Sequence, residues 1–303
     1  MLDLPDDWVW DFWTCREGER THLFFLHAPR SLGDPDRRHE HAAVGHAVST
    51  DLVTWTRLTD ALAPQPPPAF DDLACWTGSV ARADDGRWWM FTSGITRATG
   101  PAVQRIGSSW SDDLVTWTRT DLVLEADPRF YRLDDEVHWR DPCVVRGDDG
   151  LWHMLVTAKT GVGRGGGVVG HATSSDLVSW DVGPPLSAAT GRFDQLEVVR
   201  VVEVDGRGAL LFSCLGTEMP GAAPGDGGVW SVPLEGPGRP VDVASAVRLV
   251  GEELYVGDVV PGPDGPALLA FRHTGADGRF VGGVTDPVRV GWRPDDRGLQ
   301  TFT

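Results

Sequence analysis

The feature that most constrains this chain is an Asp-Gly or Gly turn, followed by an apolar strand, that recurs along its whole length. The copies are EGERTHLFFLHA, DDGRWWMFTSG, DDGLWHMLVTA, VDGRGALLFSC and PDGPALLAFRH, with turn glycines at Gly18, Gly86, Gly150, Gly206 and Gly265. Such a turn between apolar runs is a strong hairpin signal. The successive spacings are 68, 64, 56 and 59 residues. Each holds about four strands with their turns, the size of one propeller blade. A second repeat marks the outer half of the unit: STDLVTW (Ser49 to Trp55), SDDLVTW (Ser111 to Trp117) and SSDLVSW (Ser174 to Trp180). Each follows a Gly-containing strand, and GGVWSVP from Gly227 reads as a fourth copy with a changed turn. Helical periodicity is absent nearly everywhere. The expected fold is therefore all-β: a five-bladed β-propeller, residues 1–303 as a single domain with a funnel-shaped central site. GGVTDPVRVGW is expected to supply a strand of the last blade, and an N-terminal segment to complete that blade and close the ring.

Composition excludes several function classes. The formal charge is −17, which argues against a nucleic-acid partner, because such partners need a positive footprint. No run approaches the ~18 apolar residues of a membrane helix. The start, MLDLPDDWVWDFW, lacks a basic region followed by an apolar stretch, which argues against a secretory signal. Cys15, Cys75, Cys143 and Cys214 are widely separated and none is in CxxC spacing. Zinc has no support from them, and free thiols in a reducing, cytoplasmic setting are expected. HEH at His39 to His41 is read as loop rather than metal site, and no metal or cofactor is expected. GVGRGGGVVG lacks the Lys-Ser/Thr ending of a phosphate loop and reads as a hairpin loop. The 14 tryptophans are read mainly as core, with some lining a site for a small neutral ligand.

The strand running into each inner turn lines a propeller's channel. Asp11 lies seven residues before Gly18, Asp141 nine before Gly150 and Glu197 nine before Gly206. The odd offsets share strand parity, so three carboxylates from blades one, three and four are expected to converge on the axis. Like charges so placed raise one another's proton affinity. Glycoside hydrolysis uses that arrangement, with one carboxyl protonated as acid and one ionised as nucleophile or base. Trp76 and Ser79 in CWTGSV occupy this place in blade two, and Asp258, seven before Gly265, in blade five. Trp10 and Trp13 flank Asp11, and Gln195 shares a face with Glu197.

These residues resemble the superfamily of glycoside hydrolase families 32 and 68, which holds invertases, fructosidases and levansucrases. VGHAVSTDLVTWTRLTDALAP resembles its Gly-His-Ala-x-Ser-x-Asp-Leu-x-x-Trp segment with the closing Ala-Leu-x-Pro. CWTGSV resembles its Trp/Phe-Ser-Gly-Ser segment, WRDPCVV its Arg-Asp-Pro motif, and FDQLEVVRVVEVDGRGALLFS the segment carrying its acid/base Glu. The resemblance implies Asp11 as nucleophile, Asp141 as transition-state stabiliser, Glu197 as general acid/base and Arg140 as the holder of the acid/base or a substrate oxygen. Trp10, Trp13, Trp76, Ser79, Gln195 and Asp258 are the further candidates for sugar contact. The family's nucleophile motif, Trp-x-Asn-Asp-Pro-Asn-Gly, is here WVWDFWTC, and its Glu-Cys-Pro is Glu197-Val198-Val199. The β-sandwich that follows the propeller in family 32 is not expected. The implied activity is a retaining β-fructofuranosidase acting on, or transferring from, sucrose or a short fructo-oligosaccharide. A glycosidase for another furanoside, such as an arabinofuranoside, and a catalytically silent sugar-binding propeller remain the alternatives.

Overall fold

The computed structural model describes residues 1–134, 136–161 and 163–302. Each of its five sheets is a four-stranded antiparallel meander of consecutive strands. Blade one holds β1 (Asp7–Glu17), β2 (Arg20–Pro29), β3 (Ala43–Ser49) and β4 (Thr56–Arg57). Blade two holds β5 (Ala74–Arg82), β6 (Trp88–Thr96), β7 (Gly100–Ser111) and β8 (Thr118–Leu124). Blade three holds β9 (Trp139–Arg146), β10 (Trp152–Lys159), β11 (Gly167–Ser174) and β12 (Asp181–Gly183). Blade four holds β13 (Glu197–Val204), β14 (Arg207–Cys214), β15 (Gly228–Pro233) and β16 (Val247–Gly251). Blade five holds β17 (Leu254–Gly262), β18 (Gly265–Arg272), β19 (Val288–Trp292) and β20 (Leu299–Thr301). The first strands of the blades touch in ring order, and β17 meets β1.

The expected five-bladed propeller is present, with one correction at the closure. Blade five builds all four strands from its own sequence, so the N-terminus donates none. It clasps the ring by a β-bridge, in which Leu2 and Val284 exchange backbone hydrogen bonds of 3.0 and 2.8 Å, and by Asp3, which accepts from Arg272 Nη2 at 2.8 Å.

The outer repeat is a side-chain-capped turn. Ser49 Oγ accepts from the backbone N–H of Leu52, and Asp51 Oδ1 accepts from those of Val53 and Thr54. Asp113 and Asp176 repeat this at the other two copies. These bonds hold Leu52, Leu114 and Leu177 at φ of 62°, 62° and 65°, a conformation that costs a branched residue unless the surroundings fix it. The closing Trp then donates its indole N–H back to that Leu carbonyl. Two of these indoles join blades: Trp117 meets Phe24 of blade one edge-on at 5.8 Å, and Trp180 meets Phe91 of blade two at 5.3 Å. His46, in the repeat's GHA segment, is buried and stacks on Phe24 at 4.3 Å, so its role is in packing.

Every innermost strand is broken by a β-bulge at the same height. The register slips at Asp11 in β1, at Trp76–Thr77 in β5, at Asp141–Pro142 in β9, at Val198–Val199 in β13 and at Val256–Gly257 in β17. Asp141, Val198 and Val256 carry positive φ there, at 57°, 51° and 50°. A bulge leaves its extra residue unpaired and re-aims side chains. Pro142 suits the place, because it has no N–H to lose from the ladder.

Blade two shows how tightly the inner strands fit. A Cβ at Gly78 would lie 2.1 Å from the Phe91 carbonyl oxygen, so backbone would have to move. Gly78→Ala is expected to destabilise the fold by about 2 kcal/mol, read as a lower urea midpoint at unchanged slope. An unchanged midpoint would refute this packing.

Candidate active site

The five bulges place two tiers of side chains at the mouth of the funnel. Trp10, Arg140, Glu197 and Tyr255, each one residue before its bulge, and Trp76, the first residue of its own bulge, all line a cavity of about 460 Å³. The bulge residues Asp11, Thr77, Asp141 and Val198 line it as well. The three predicted carboxylates therefore converge, though not in equivalent places. Asp11 and Asp141 sit on their bulges, and Glu197 sits one residue before its own. Parity counted from the turn glycine does not survive a bulge. The glycine also takes different places in turns of different length, since β9 and β10 pair up to Arg146 and Trp152 whereas β13 and β14 pair up to Val204 and Arg207.

Arg140 organises the acids. Its Nη2 donates to Glu197 Oε1 at 2.6 Å, and its Nε lies 3.2 Å from Asp141 Oδ2. Nη1 donates to Gln104 Oε1 at 3.1 Å and to His138 Nδ1 at 3.0 Å, and Nη2 also donates to Gln195 Oε1. Because Arg140 can only donate, His138 must accept at Nδ1 and carry its proton on Nε2, beside Glu136 at 3.1 Å. Burial and the Arg140 charge push His138 down to about 3, so the ring is neutral. Glu197 is clamped from its other side by the Tyr255 hydroxyl, which donates to Oε2 at 2.5 Å. Gln195 Nε2 donates to Glu218 Oε1 at 2.8 Å.

Each of the two aspartates has one oxygen tied down. Asp141 Oδ2 accepts from the Thr157 hydroxyl at 2.8 Å and the Val198 N–H at 3.3 Å, which leaves Oδ1 without a protein donor among the described residues. Asp11 Oδ2 accepts from the Thr77 hydroxyl at 2.6 Å, and its Oδ1 is likewise left over. A relay couples them, since the Asp141 N–H donates to Ser93 Oγ and that hydroxyl donates to the Thr77 carbonyl. Burial raises Asp11 to about 7, the charges of Asp141 and Glu197 push the same way, and Thr77 and Arg38 oppose them. Burial likewise raises Asp141 against the pull of Arg140. Burial and then the Glu197 charge raise Glu218.

Of the predicted contact residues, Trp10, Trp76, Arg140 and Gln195 line the cavity, and Trp13, Ser79 and Asp258 do not. Trp13 is buried in the core, stacked on Phe24 at 5.9 Å, because parity beyond the bulge turns it away from the axis. Ser79 Oγ accepts from the Val144 N–H and ties blade two to blade three. Asp258 lies past its bulge and accepts from both the N–H and the hydroxyl of Thr14. Its neighbour Tyr255 holds the cavity position that the sequence assigned to it. Of the 14 tryptophans, Trp10 and Trp76 reach the cavity. His39 and His273 also line it, whereas His27 pairs with Asp7 and Asp60 elsewhere. No cluster suited to a metal ion occurs among the described residues, and the four cysteines are free and buried. Tyr255, Glu218, Thr77, Arg38 and Gln104 were not singled out from sequence. Aligning the blades on WTG, RDP and EVV would have found Tyr255 in YVG.

Asp11 links stability to pH through its raised proton affinity. Its folded pKa is raised, so its contribution is full below the ordinary carboxylate range near 3.8 and is lost as pH rises toward about 7. Asp11→Asn is therefore expected to melt on the order of 5 °C above the parent at pH 8 and to converge with it near pH 4. Equal melting temperatures at pH 8 would contradict the buried, electrostatically strained carboxylate.

Comparison with known proteins agrees with this fold. The profile of the glycosyl hydrolases family 32 N-terminal domain matches residues 15–224. Beta-fructofuranosidase 1 of Zea mays is 32% identical over 195 residues, 60% of this chain and 28% of the relative. Sucrose-6-phosphate hydrolase of Bacillus subtilis is 28% identical over 205 residues, 66% of this chain and 40% of the relative. The matched stretches thus span well under half of these relatives. Among solved structures, inulosucrase from Halalkalicoccus jeotgali bound to kestose superposes with a TM-score of 0.75 at 21% identity, covering 99% of this chain and 89% of that one. Fructan 1-exohydrolase IIa from Cichorium intybus gives 0.73 at 18% identity, covering 99% and 59%. With a profile match over most of its length, this five-bladed propeller belongs to glycosyl hydrolase family 32.

Proposed function

We propose that this protein is a retaining glycoside hydrolase of β-fructofuranosidase type, hydrolysing or transferring a terminal fructosyl unit of sucrose or a short fructo-oligosaccharide. The observation that carries the reading is the convergence of Asp11, Asp141 and Glu197 on one cavity, each with its geometry fixed by a neighbour. In this reading the free Oδ1 of Asp11 attacks the anomeric carbon. Glu197 delivers its proton to the leaving oxygen, and a covalent glycosyl-enzyme forms. Glu197 then takes a proton from water, whose oxygen displaces Asp11. A sugar hydroxyl in place of water gives transfer. Asp141 offers Oδ1 to hydroxyls beside the reacting carbon while Arg140 steadies it. Arg140 and Tyr255 both donate to Glu197, which stabilises the carboxylate left after proton transfer. The relatives' names support a fructosyl donor, and the free cysteines support a reducing, cytoplasmic setting.

A second furanoside, such as an arabinofuranoside, is favoured by one observation. The wall beside Asp11 is formed by Trp10, Leu26 and Trp76 rather than by side-chain amides.

Turnover of sucrose, kestose, inulin oligomers and aryl arabinofuranosides distinguishes these readings. Activity on a fructoside, with retention at the anomeric carbon by NMR, is expected, and Asp11→Asn should lower kcat by at least about 10⁴-fold in a folded protein. Because the nucleophile must be ionised, kcat/KM should rise with pH through about 7. Full activity of Asp11→Asn would overturn the nucleophile assignment, and activity confined to arabinofuranosides would overturn the fructosyl reading.

A further inference from the structure

Between β2 and β3 the chain inserts a 3-10 turn, Pro35–Glu40, of sequence PDRRHE. It carries Arg38 into the cavity wall. The side chain is only 7% exposed, yet it has few protein partners. Nη1 donates to the Pro35 carbonyl at 2.8 Å and lies 3.6 Å from exposed Asp36. Nε is buried and unpartnered. What holds the group is ring faces, with Cζ 3.9 Å from the Phe280 centroid and 5.5 Å from that of Trp10. A guanidinium stacked in this way keeps its N–H groups in its own plane. A cation buried on ring faces with donors to spare is costly unless something else accepts from it.

The nearby wall shows what that is. Trp10, Leu26 and Trp76 present ring and methyl surface. The Trp76 indole N–H is spent on the His39 carbonyl at 2.7 Å, and the Thr77 hydroxyl is spent on Asp11. A furanose in contact with Asp11 brings several hydroxyls, and each needs a partner once water is expelled. On this side Arg38 is the strong donor available.

We propose that Arg38 is a specificity-determining residue of this site, donating its free guanidinium N–H groups to the hydroxyls of the sugar unit that Asp11 attacks. The proposal rests on the glycosidase reading above. It is particular to the turn between β2 and β3, because the Trp76 indole and the Thr77 hydroxyl are already spent on protein acceptors. Arg38 also faces Asp11 electrostatically and opposes its raised proton affinity. The charged groups around the pair are Asp141 and Glu197 on the Asp11 side, Asp34 and Asp36 on the turn, and neutral His39 and His273, both lowered by burial first and by Arg38 next.

The test compares Arg38→Met, Arg38→Lys and the parent. Arg38→Met keeps the stem that packs on Phe280 and removes the donors. It should raise KM for the best substrate at least tenfold with kcat changed less than threefold at the optimum, and it should move the acid limb of kcat/KM to higher pH. Arg38→Lys should keep the limb near its parent position and recover part of KM. Calorimetric binding of free fructose and free arabinose is read alongside, and Arg38→Met should weaken whichever sugar the parent binds at least tenfold. A folded Arg38→Met with parental KM, limb and sugar affinity overturns the proposal and leaves the glycosidase reading intact. If the parent turns over no glycoside, that reading fails, and the calorimetry alone decides for or against Arg38.

Discussion

The Arg140 guanidinium is the constraint on which the active site depends. Five carboxylates, Asp11, Glu136, Asp141, Glu197 and Glu218, line one cavity with two guanidinium groups. Arg140 contacts two of these acids directly and reaches Glu218 through Gln195. Burial alone would lower its proton affinity, and the surrounding carboxylates more than reverse this. A buried cation paired this way contributes little net stability beside an apolar isostere, but removing one partner strands the others. The arrangement therefore suits orientation better than stability. The planar fork fixes Asp141 and Glu197 relative to each other at the cavity wall.

Below this tier the axis is closed by a second buried arginine. Arg200 extends from β13 across the channel and donates to the carbonyls of Val199, Phe12 and Gly78, joining blades four, one and two. Asp258 from blade five answers its charge and is itself held by Thr14. Carbonyls freed at the bulged inner strands need donors that the ladder cannot supply, and one guanidinium meets three of them. Arg200 does not line the cavity, and its three bonds make it a floor that ties the inner strands together. Asp258, a carboxylate at the right distance from a turn, belongs to this floor.

The fold was legible because its repeat is local chemistry. Ser, Asp and Trp in S-x-D-L-x-x-W each make a bond within the same turn, and every inner turn glycine carries a positive φ. Such bonds depend on neighbours in sequence, so they can be read there. That Asp11, Asp141 and Glu197 meet in one cavity was legible from the period of the repeat, whereas their places on the strands were not. What was not legible depends on where a ladder slips. A bulge exchanges the two faces of a strand, so Trp13 and Asp258 carry the expected parity and point elsewhere. Tyr255, Arg140 and Glu197 each stand one residue before the bulge of their strand, a place that a count from the turn glycine misses. Glu218 and Arg38 come from 3-10 turns outside the repeat, where no periodicity guides a reading.

Asp11 is where these lines of argument meet. The family profile begins at residue 15 and so does not include it. Its assignment stands on the repeat and on its position in the cavity instead. Its surroundings differ in kind from those of the other two acids. Asp141 and Glu197 have Arg140, whereas Asp11 has one hydroxyl, two indoles and the offset charge of Arg38. A carboxylate held with so few donors is poorly stabilised as an anion and correspondingly reactive once ionised. With Trp10 and Leu26 lining the same cavity, Thr77 is the hydroxyl that donates to Asp11 and Arg38 the cation that opposes its raised proton affinity. In the proposed reading, a sugar beside Asp11 meets a guanidinium and two indoles at once, which narrows what can bind there.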